Sequence, residues 1–100
     1  MANAASSVVR RYIDALVRGD ESTGYSLLGG NAGAPGLTLS EEAFLDPSAR
    51  ITALRAKRID DSNATVEVEI TSAKGAYSAN YHVTAGPRGP YITQHDFIKV

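Results

Sequence analysis

Apolar side chains recur every three or four residues along the first part of the chain, and polar side chains occupy the opposite side. The apolar positions are Ala5, Val8, Val9, Tyr12, Ile13, Leu16 and Val17. This spacing predicts an amphipathic helix from Ser7 to Arg18 with one buried face. Ser6 or Ser7 can cap its beginning, and Gly19 suits the left-handed backbone position that follows a helix end.

A second, shorter helix is predicted directly after the first. Asp20 can cap its beginning, and the segment from Glu21 to Leu28 places Tyr25 and Leu28 on one side. The segment 29–39 holds four glycines and a proline, so we expect an irregular connection there. A brief helix around residues 44 and 45 follows, and Asp46-Pro47 ends it.

Four segments of strand-like composition fill the second half of the chain. The clearest runs from Ala64 to Thr71, where apolar and polar residues alternate as in a strand with one solvated face. The other three are Arg50 to Ile59, Ala76 to Thr84 and Tyr91 to Val100. Turn signals separate them at residues 60–63, 74–75 and 85–90. The predicted fold class is therefore α+β, with N-terminal helices packed on a four-stranded antiparallel sheet.

The register of the last two strands decides which side chains enter the core. A turn centred on residues 87 and 88 pairs Tyr81 with Gln94 and places Asp96 one step further along the same row. Gln94 and Asp96 then interrupt an otherwise apolar face that the first helix covers. A slip of one residue would put His95 there instead. The polar outer face would carry two aromatic side chains, Tyr91 and Phe97.

Length and composition limit the possible functions. A chain of 100 residues with 43% hydrophobic content fits one domain, residues 1–100, since chains below roughly 150 residues seldom form two cores. The formal charge of -1 argues against a nucleic-acid partner. No apolar run approaches the ~20 residues that a membrane span needs. The compartment stays open between the cytoplasm and, if a leader was removed, an extracytoplasmic location.

Metal and cofactor sites are not predicted. The chain has no cysteine, which excludes disulfides and thiolate ligands. His82 and His95 share the outer face in the register above, but they are not opposite each other and no third ligand has suitable spacing. Arg10, Arg11 and Arg18 are interpreted as the solvated side of the first helix.

The segment from Val8 to Asp20, VVRRYIDALVRGD, followed by a short helix and a four-stranded meander, resembles the nuclear transport factor 2-like superfamily with its cystatin-like fold. Ketosteroid isomerases and small lumazine-binding-like domains are members. The resemblance covers most of the chain. It implies a curled sheet and helices that form a cone, an apolar ligand at its open end, and a homodimer through the outer face of the sheet.

Similarity to the isomerases implies three candidate catalytic residues. Tyr12 matches the tyrosine of their first helix that donates a hydrogen bond to the oxyanion. Asp46-Pro47 resembles the dipeptide that contains their general base. Asp96 is the candidate for their second, protonated acid. A carboxyl group in an apolar pocket can stay neutral at pH 7 and donate a hydrogen bond, which helps to enolise a ketone. Asn80 is the alternative position for the second acid.

Three hypotheses follow. The first is a non-catalytic binding or accessory module that holds a small apolar ligand between Tyr12, Tyr25, Tyr81, Gln94 and Asp96. The second is an isomerase-like or cyclase-like enzyme that transfers a proton beside a carbonyl. The third is a structural homodimerisation domain.

Overall fold

The computed structural model describes residues 2–28 and 45–100. Two helices, α1 (Ala2–Val17) and α2 (Glu21–Ser26), precede the strands β1 (Arg50–Lys57), β2 (Asn63–Ser72), β3 (Gly75–Gly86) and β4 (Gly89–Lys99). The strands form one antiparallel sheet in the order β1-β2-β3-β4. The predicted α+β class is thus confirmed. The connection 29–39 and residue 44 of the predicted brief helix lie outside the described residues.

The first helix begins five residues earlier than predicted. It starts at Ala2, so Ser6 and Ser7 lie inside it and the prediction that either of them caps it was wrong. Alanine has the highest intrinsic helix propensity, and the alanines at positions 2, 4 and 5 extend the helix toward the N-terminus.

The end of α1 follows its prediction. Gly19 has φ of 77°, in the left-handed region. The N–H of Asp20 donates to the carbonyl of Ala15 at 2.8 Å, and the N–H of Gly19 donates to that of Leu16 at 3.0 Å. These two bonds form a Schellman motif, which satisfies carbonyls that the helix leaves open.

Asp20 caps α2, as the sequence predicted. Its carboxylate accepts the Thr23 N–H at 3.2 Å and the Thr23 hydroxyl at 2.7 Å. These hydrogen bonds favour the ionised carboxylate, so the pKa of Asp20 lies below its ordinary value. The cap and the Schellman motif share one Gly-Asp pair, which fixes the sharp reversal between the two helices.

One hydrophobic core lies between α1 and the inner face of the sheet. Tyr12 is 0% exposed and Tyr81 is 1% exposed, and they are the largest fully buried side chains. The smaller members of the core come from α1, from the residues that follow α2 and from three strands, among them Val9, Ile13, Leu27, Val66, Val68, Ile70, Val83 and Ile92. The predicted inner face of α1 is therefore correct.

The predicted register of β4 was right at its beginning and wrong beyond it. Val83 pairs with Ile92 as expected, but a β-bulge follows and Tyr81 pairs with His95. Thr93 is the extra residue, and an extra residue reverses the alternation of faces in the rest of a strand.

This bulge corrects five placements. His95 and Phe97 lie on the inner side, where Phe97 packs against the core, whereas Gln94 and Asp96 are exposed on the outer face. Ile98, expected in the core, is 68% exposed. Phe97 is consequently not one of the outer aromatic side chains that the predicted homodimer face was to carry.

The outer face of the sheet is a network of polar pairs between neighbouring strands. Glu67 forms ion pairs with Arg55 at 2.7 Å and with Lys57 at 2.8 Å. The Thr65 hydroxyl lies 3.0 Å from Nδ1 of His82. Such pairs between strands stabilise a sheet while leaving its face compatible with solvent.

Candidate functional site

Three rings meet in the middle of the core. Tyr12 of α1 meets the ring of Tyr81 at a centroid distance of 5.7 Å and the ring of His95 at 6.1 Å, both edge to face. Tyr81 and His95 stack in parallel planes. Since Tyr12 and Tyr81 are fully buried, these rings occupy the volume in which the predicted pocket was to lie.

The five residues predicted to surround a ligand are not brought together. Tyr12 and Tyr81 are in contact inside the core, but Gln94 and Asp96 lie on the opposite face of the sheet. Asp96 accepts a hydrogen bond from the Asn80 amide there, at 3.2 Å. The side chain of Tyr25 lies outside the described residues.

The three catalytic candidates are also separated. Tyr12 is in the core, whereas Asp96 is on the outer face. Asp46 lies in the turn before β1, where its carboxylate accepts the hydroxyl and the N–H of Ser48. Both hydrogen bonds favour the ionised form and hold the pKa of Asp46 below its ordinary value. The trio therefore has no common centre at which a substrate could contact all three.

A different concavity lies beside the turn between β3 and β4. This turn groove has a volume of about 730 Å³ and is bounded by α1, by the end of α2 and by the turn itself. Ligand pockets in proteins span roughly 300–1,000 Å³. Its lining residues are Val8, Arg11, Ser26, Leu27 and residues 86–91. Its size is therefore suitable for a small organic molecule.

The walls of the turn groove are more apolar than polar, and Arg11, Ser26 and Arg88 contribute polar groups. Val8 and Leu27 form the buried part, with 3% and 7% of their surfaces exposed. Pro87 and Pro90 add two rings whose backbone φ is fixed, so the turn is stiff. Among the residues that line the groove, none is acidic.

Tyr91 forms the wall beside Gly86. A Cβ atom added to Gly86 would lie 2.5 Å from Cε1 of Tyr91, closer than nonbonded atoms approach. Gly86 therefore lets the tyrosine ring lie close to the backbone. The opposite wall is tied to the sheet, since the N–H of Ile92 donates to the carbonyl of Leu27 at 2.8 Å.

A second concavity, the arginine groove, lies between α1 and the beginning of β1. Its volume is about 550 Å³. Arg10 and Arg11 of α1 line it together with Arg50 of β1. Asp14 also lines it, but its carboxylate is paired with Arg18 at 3.3 Å. Arg11 lines both grooves, although one groove adjoins β1 and the other adjoins the turn between β3 and β4.

The sequence contained signals for the turn groove that the prediction did not use. Residues 85–90 were interpreted only as a turn, and Tyr91 only as part of an outer face. A stiff turn with two prolines beside an aromatic residue is a combination that can form a wall. Leu27 and Val8 could not be added from the sequence, because only the tertiary fold brings both helices to this turn.

Residues 2–28 and 45–100 contain no helix that is both long and apolar enough to cross a membrane. The same residues contain no group of three or more His, Asp or Glu side chains arranged to hold a metal ion. Comparison with models of known protein families gives no match, and comparison with curated proteins gives none either.

Proposed function

We propose that this domain is a non-catalytic binding or accessory module that holds a small, largely apolar ligand in the turn groove. The observation that carries the proposal is the combination of apolar walls from three elements around a volume of about 730 Å³. Apolar concave surfaces of this size are the usual location of small-molecule sites. The site differs from the one that the sequence suggested, but the class of function is the same.

Stiffness supports the binding role. A ligand binds more tightly when its site needs little ordering, since each flexible side chain that must be fixed costs about 0.5–1.5 kcal/mol. The turn groove is built from two prolines, a tyrosine held against Gly86 and two leucine or valine side chains already buried in the core. These groups lose little freedom when a ligand enters, whereas the Arg11, Ser26 and Arg88 side chains that also line the groove are flexible.

The separation of Tyr12, Asp46 and Asp96 supports a non-catalytic role over the isomerase-like alternative. Proton transfer beside a carbonyl requires an acid and a base within hydrogen-bond reach of one substrate. Asp96 lies on the face of the sheet opposite to Tyr12, so the two cannot contact the same molecule in this fold.

The finer fold assignment is part of the proposal. Two helices are followed by a four-stranded antiparallel meander, and the motif from Val8 to Asp20 spans the end of the first helix and the turn after it. These features support a cystatin-like domain of the nuclear transport factor 2-like kind. Members of such a fold differ widely in activity, so the groove and not the fold carries the functional argument.

Binding of the neutral, fluorescent apolar dye Nile red tests the proposal. We expect saturable binding to the native protein, and a loss of about tenfold in affinity in Tyr91→Ala, because that change removes an aromatic wall worth about 1–3 kcal/mol. Gly86→Ala should weaken binding as well, since the added Cβ displaces the Tyr91 ring.

Tyr91→Phe is the matched control. It keeps the ring and removes only the hydroxyl, so apolar binding should stay within about twofold of the native value. Equal affinity of the native protein and Tyr91→Ala, with both shown to be folded by circular dichroism, would place the dye elsewhere and overturn the proposal.

A further inference from the structure

The arginine groove is lined by two neighbouring arginines of α1 and by a third arginine that is distant in the sequence. Arg10 and Arg11 follow each other in α1, whereas Arg50 begins β1. In the described part of the chain, none of the three side chains forms an ion pair or a hydrogen bond with another residue. The cluster is thus a product of the tertiary fold and not of a basic run.

The charge of the groove is unbalanced. Three arginines and one aspartate line it, which gives a net charge of +2. The Asp14 carboxylate is also paired with Arg18, at 3.3 Å. Like charges that share a concave surface repel each other, and a bound anion relieves that repulsion. The whole chain, by contrast, has a formal charge of -1, so the positive groove is a local feature.

The floor of the groove is apolar. Its apolar lining residues are Ile13 and Val17 of α1, Ala49 before β1 and Ile51 in β1. Ile13 is almost fully buried, and the other three pack against the core while remaining partly exposed. A ligand that fits both parts has an anionic head for the guanidinium groups and a short apolar portion for the floor.

We infer that the arginine groove is a second binding site, distinct from the turn groove, which takes a phosphate monoester with a small apolar substituent. A phosphate monoester carries a charge of about -1.5 to -2 at pH 7 and offers three acceptor oxygens. This charge matches the net charge of the groove. Guanidinium groups recognise phosphate oxygens by paired N–H donors, and three arginines line this groove.

Titration of phenyl phosphate into isotopically labelled protein, followed by NMR, tests the inference. We expect saturable shifts of the Val17 and Ile51 amides, and weaker binding of inorganic phosphate because it lacks the apolar portion. Phenol, which lacks the charge, should not bind at these residues. Arg50→Gln and Arg10→Gln should each weaken phenyl phosphate about tenfold, since a charge-assisted hydrogen bond contributes at least that factor.

Arg88→Gln is the matched control, since it removes the same charge from the turn groove. It should change the affinity for phenyl phosphate by less than about twofold, and it should leave the Val17 and Ile51 shifts in place. Arg11 is not used because it lines both grooves.

Two sources of the monoester are distinguished by a vesicle assay. Cosedimentation with phosphatidylcholine vesicles that contain phosphatidic acid, lost in Arg50→Gln, would assign the phosphate to a lipid headgroup. Binding of phenyl phosphate without vesicle binding would assign it to a soluble ligand.

The inference would be overturned if Arg50→Gln and Arg88→Gln weakened phenyl phosphate binding equally. It would also be overturned if phenyl phosphate shifted mainly the amide signals of residues 86–91. It would also be overturned if phenyl phosphate caused no more change than sodium chloride at the same ionic strength. None of these results bears on Nile red binding, so the turn-groove proposal stands or fails separately.

Discussion

Tyr81 and His95 stack across β3 and β4 with ring planes 3° apart and centroids 5.8 Å apart. The stack exists because the bulge at Thr93 turns His95, and not Gln94, toward the inner side of the sheet. Tyr12 closes the cluster from α1. Because of one extra residue in a strand, aromatic side chains fill the place of the predicted ligand pocket.

Truncating Tyr12 should destabilise the protein strongly. Tyr12→Ala removes a fully buried ring from the contact between α1 and the sheet, and we expect the free energy of unfolding to fall by about 3–5 kcal/mol. Urea unfolding monitored by circular dichroism measures the change. Tyr12→Phe keeps the ring contacts and should cost less than half as much, whereas a loss below about 1 kcal/mol in Tyr12→Ala would contradict the packing described.

Asp96→Asn should have little effect. The carboxylate is on the solvated outer face and its partner there is the exposed Asn80 amide, so the free energy of unfolding should change by less than about 0.5 kcal/mol. Nile red affinity should also be unchanged, with Tyr91→Ala as the positive control. A clear loss of dye binding in Asp96→Asn would restore Asp96 to the ligand site.

Glu67 should make the stability depend on acid pH. Hydrogen bonds from Lys57 and Arg55 hold the pKa of the folded Glu67 below its ordinary value of 4.5. Because the folded pKa is the lower one, this contribution is complete above about pH 4.5 and is lost as the pH falls through the folded pKa. Urea unfolding at a series of pH values measures it.

In Glu67→Gln, the free energy of unfolding should fall less steeply at acid pH than in the native protein. Added salt should reduce this difference between the two proteins, because the ion pairs are near the surface. Glu69→Gln is the control, since the exposed Glu69 forms no ion pair within the described residues. Identical pH profiles for native protein and Glu67→Gln would show that these pairs do not affect stability.

The predicted homodimer can be tested at the outer face of the sheet. Ile98 is 68% exposed there, and a dimer through this face would bury it. We expect sedimentation velocity to show a dimer that Ile98→Asp converts to monomer, because a carboxylate buried without a partner costs several kcal/mol. A native protein that sediments only as monomer at high concentration would refute the dimer.

The helices and strands were largely predictable because their signals are local. The three- and four-residue spacing identified α1, Gly19-Asp20 marked its end, and alternation identified the strand around Val66. The turn between β3 and β4 is centred on residues 87 and 88, as predicted, since Gly86 pairs with Gly89. Each of these features depends on a few neighbouring residues.

The faces of β4 were not predicted because a bulge has no strong local signal here. Ile92-Thr93-Gln94 contains neither glycine nor proline, the residues that most often indicate irregular backbone. One signal was present: Phe97 is far more apolar than Asp96, so a register with Phe97 inside was favoured by burial alone. Arg50 illustrates a different limit, because its approach to α1 follows from tertiary packing and not from neighbouring residues.

The hydrogen bond from Ile92 to Leu27 joins the two walls of the turn groove and covers the edge of β4 at that point. Separating the walls requires this bond to break, which exposes the Ile92 amide to exchange with deuterium in the solvent. The exchange rate of this single amide therefore measures how often the groove opens. A ligand that holds the walls together should slow it, so one backbone proton can report occupancy before the ligand is identified.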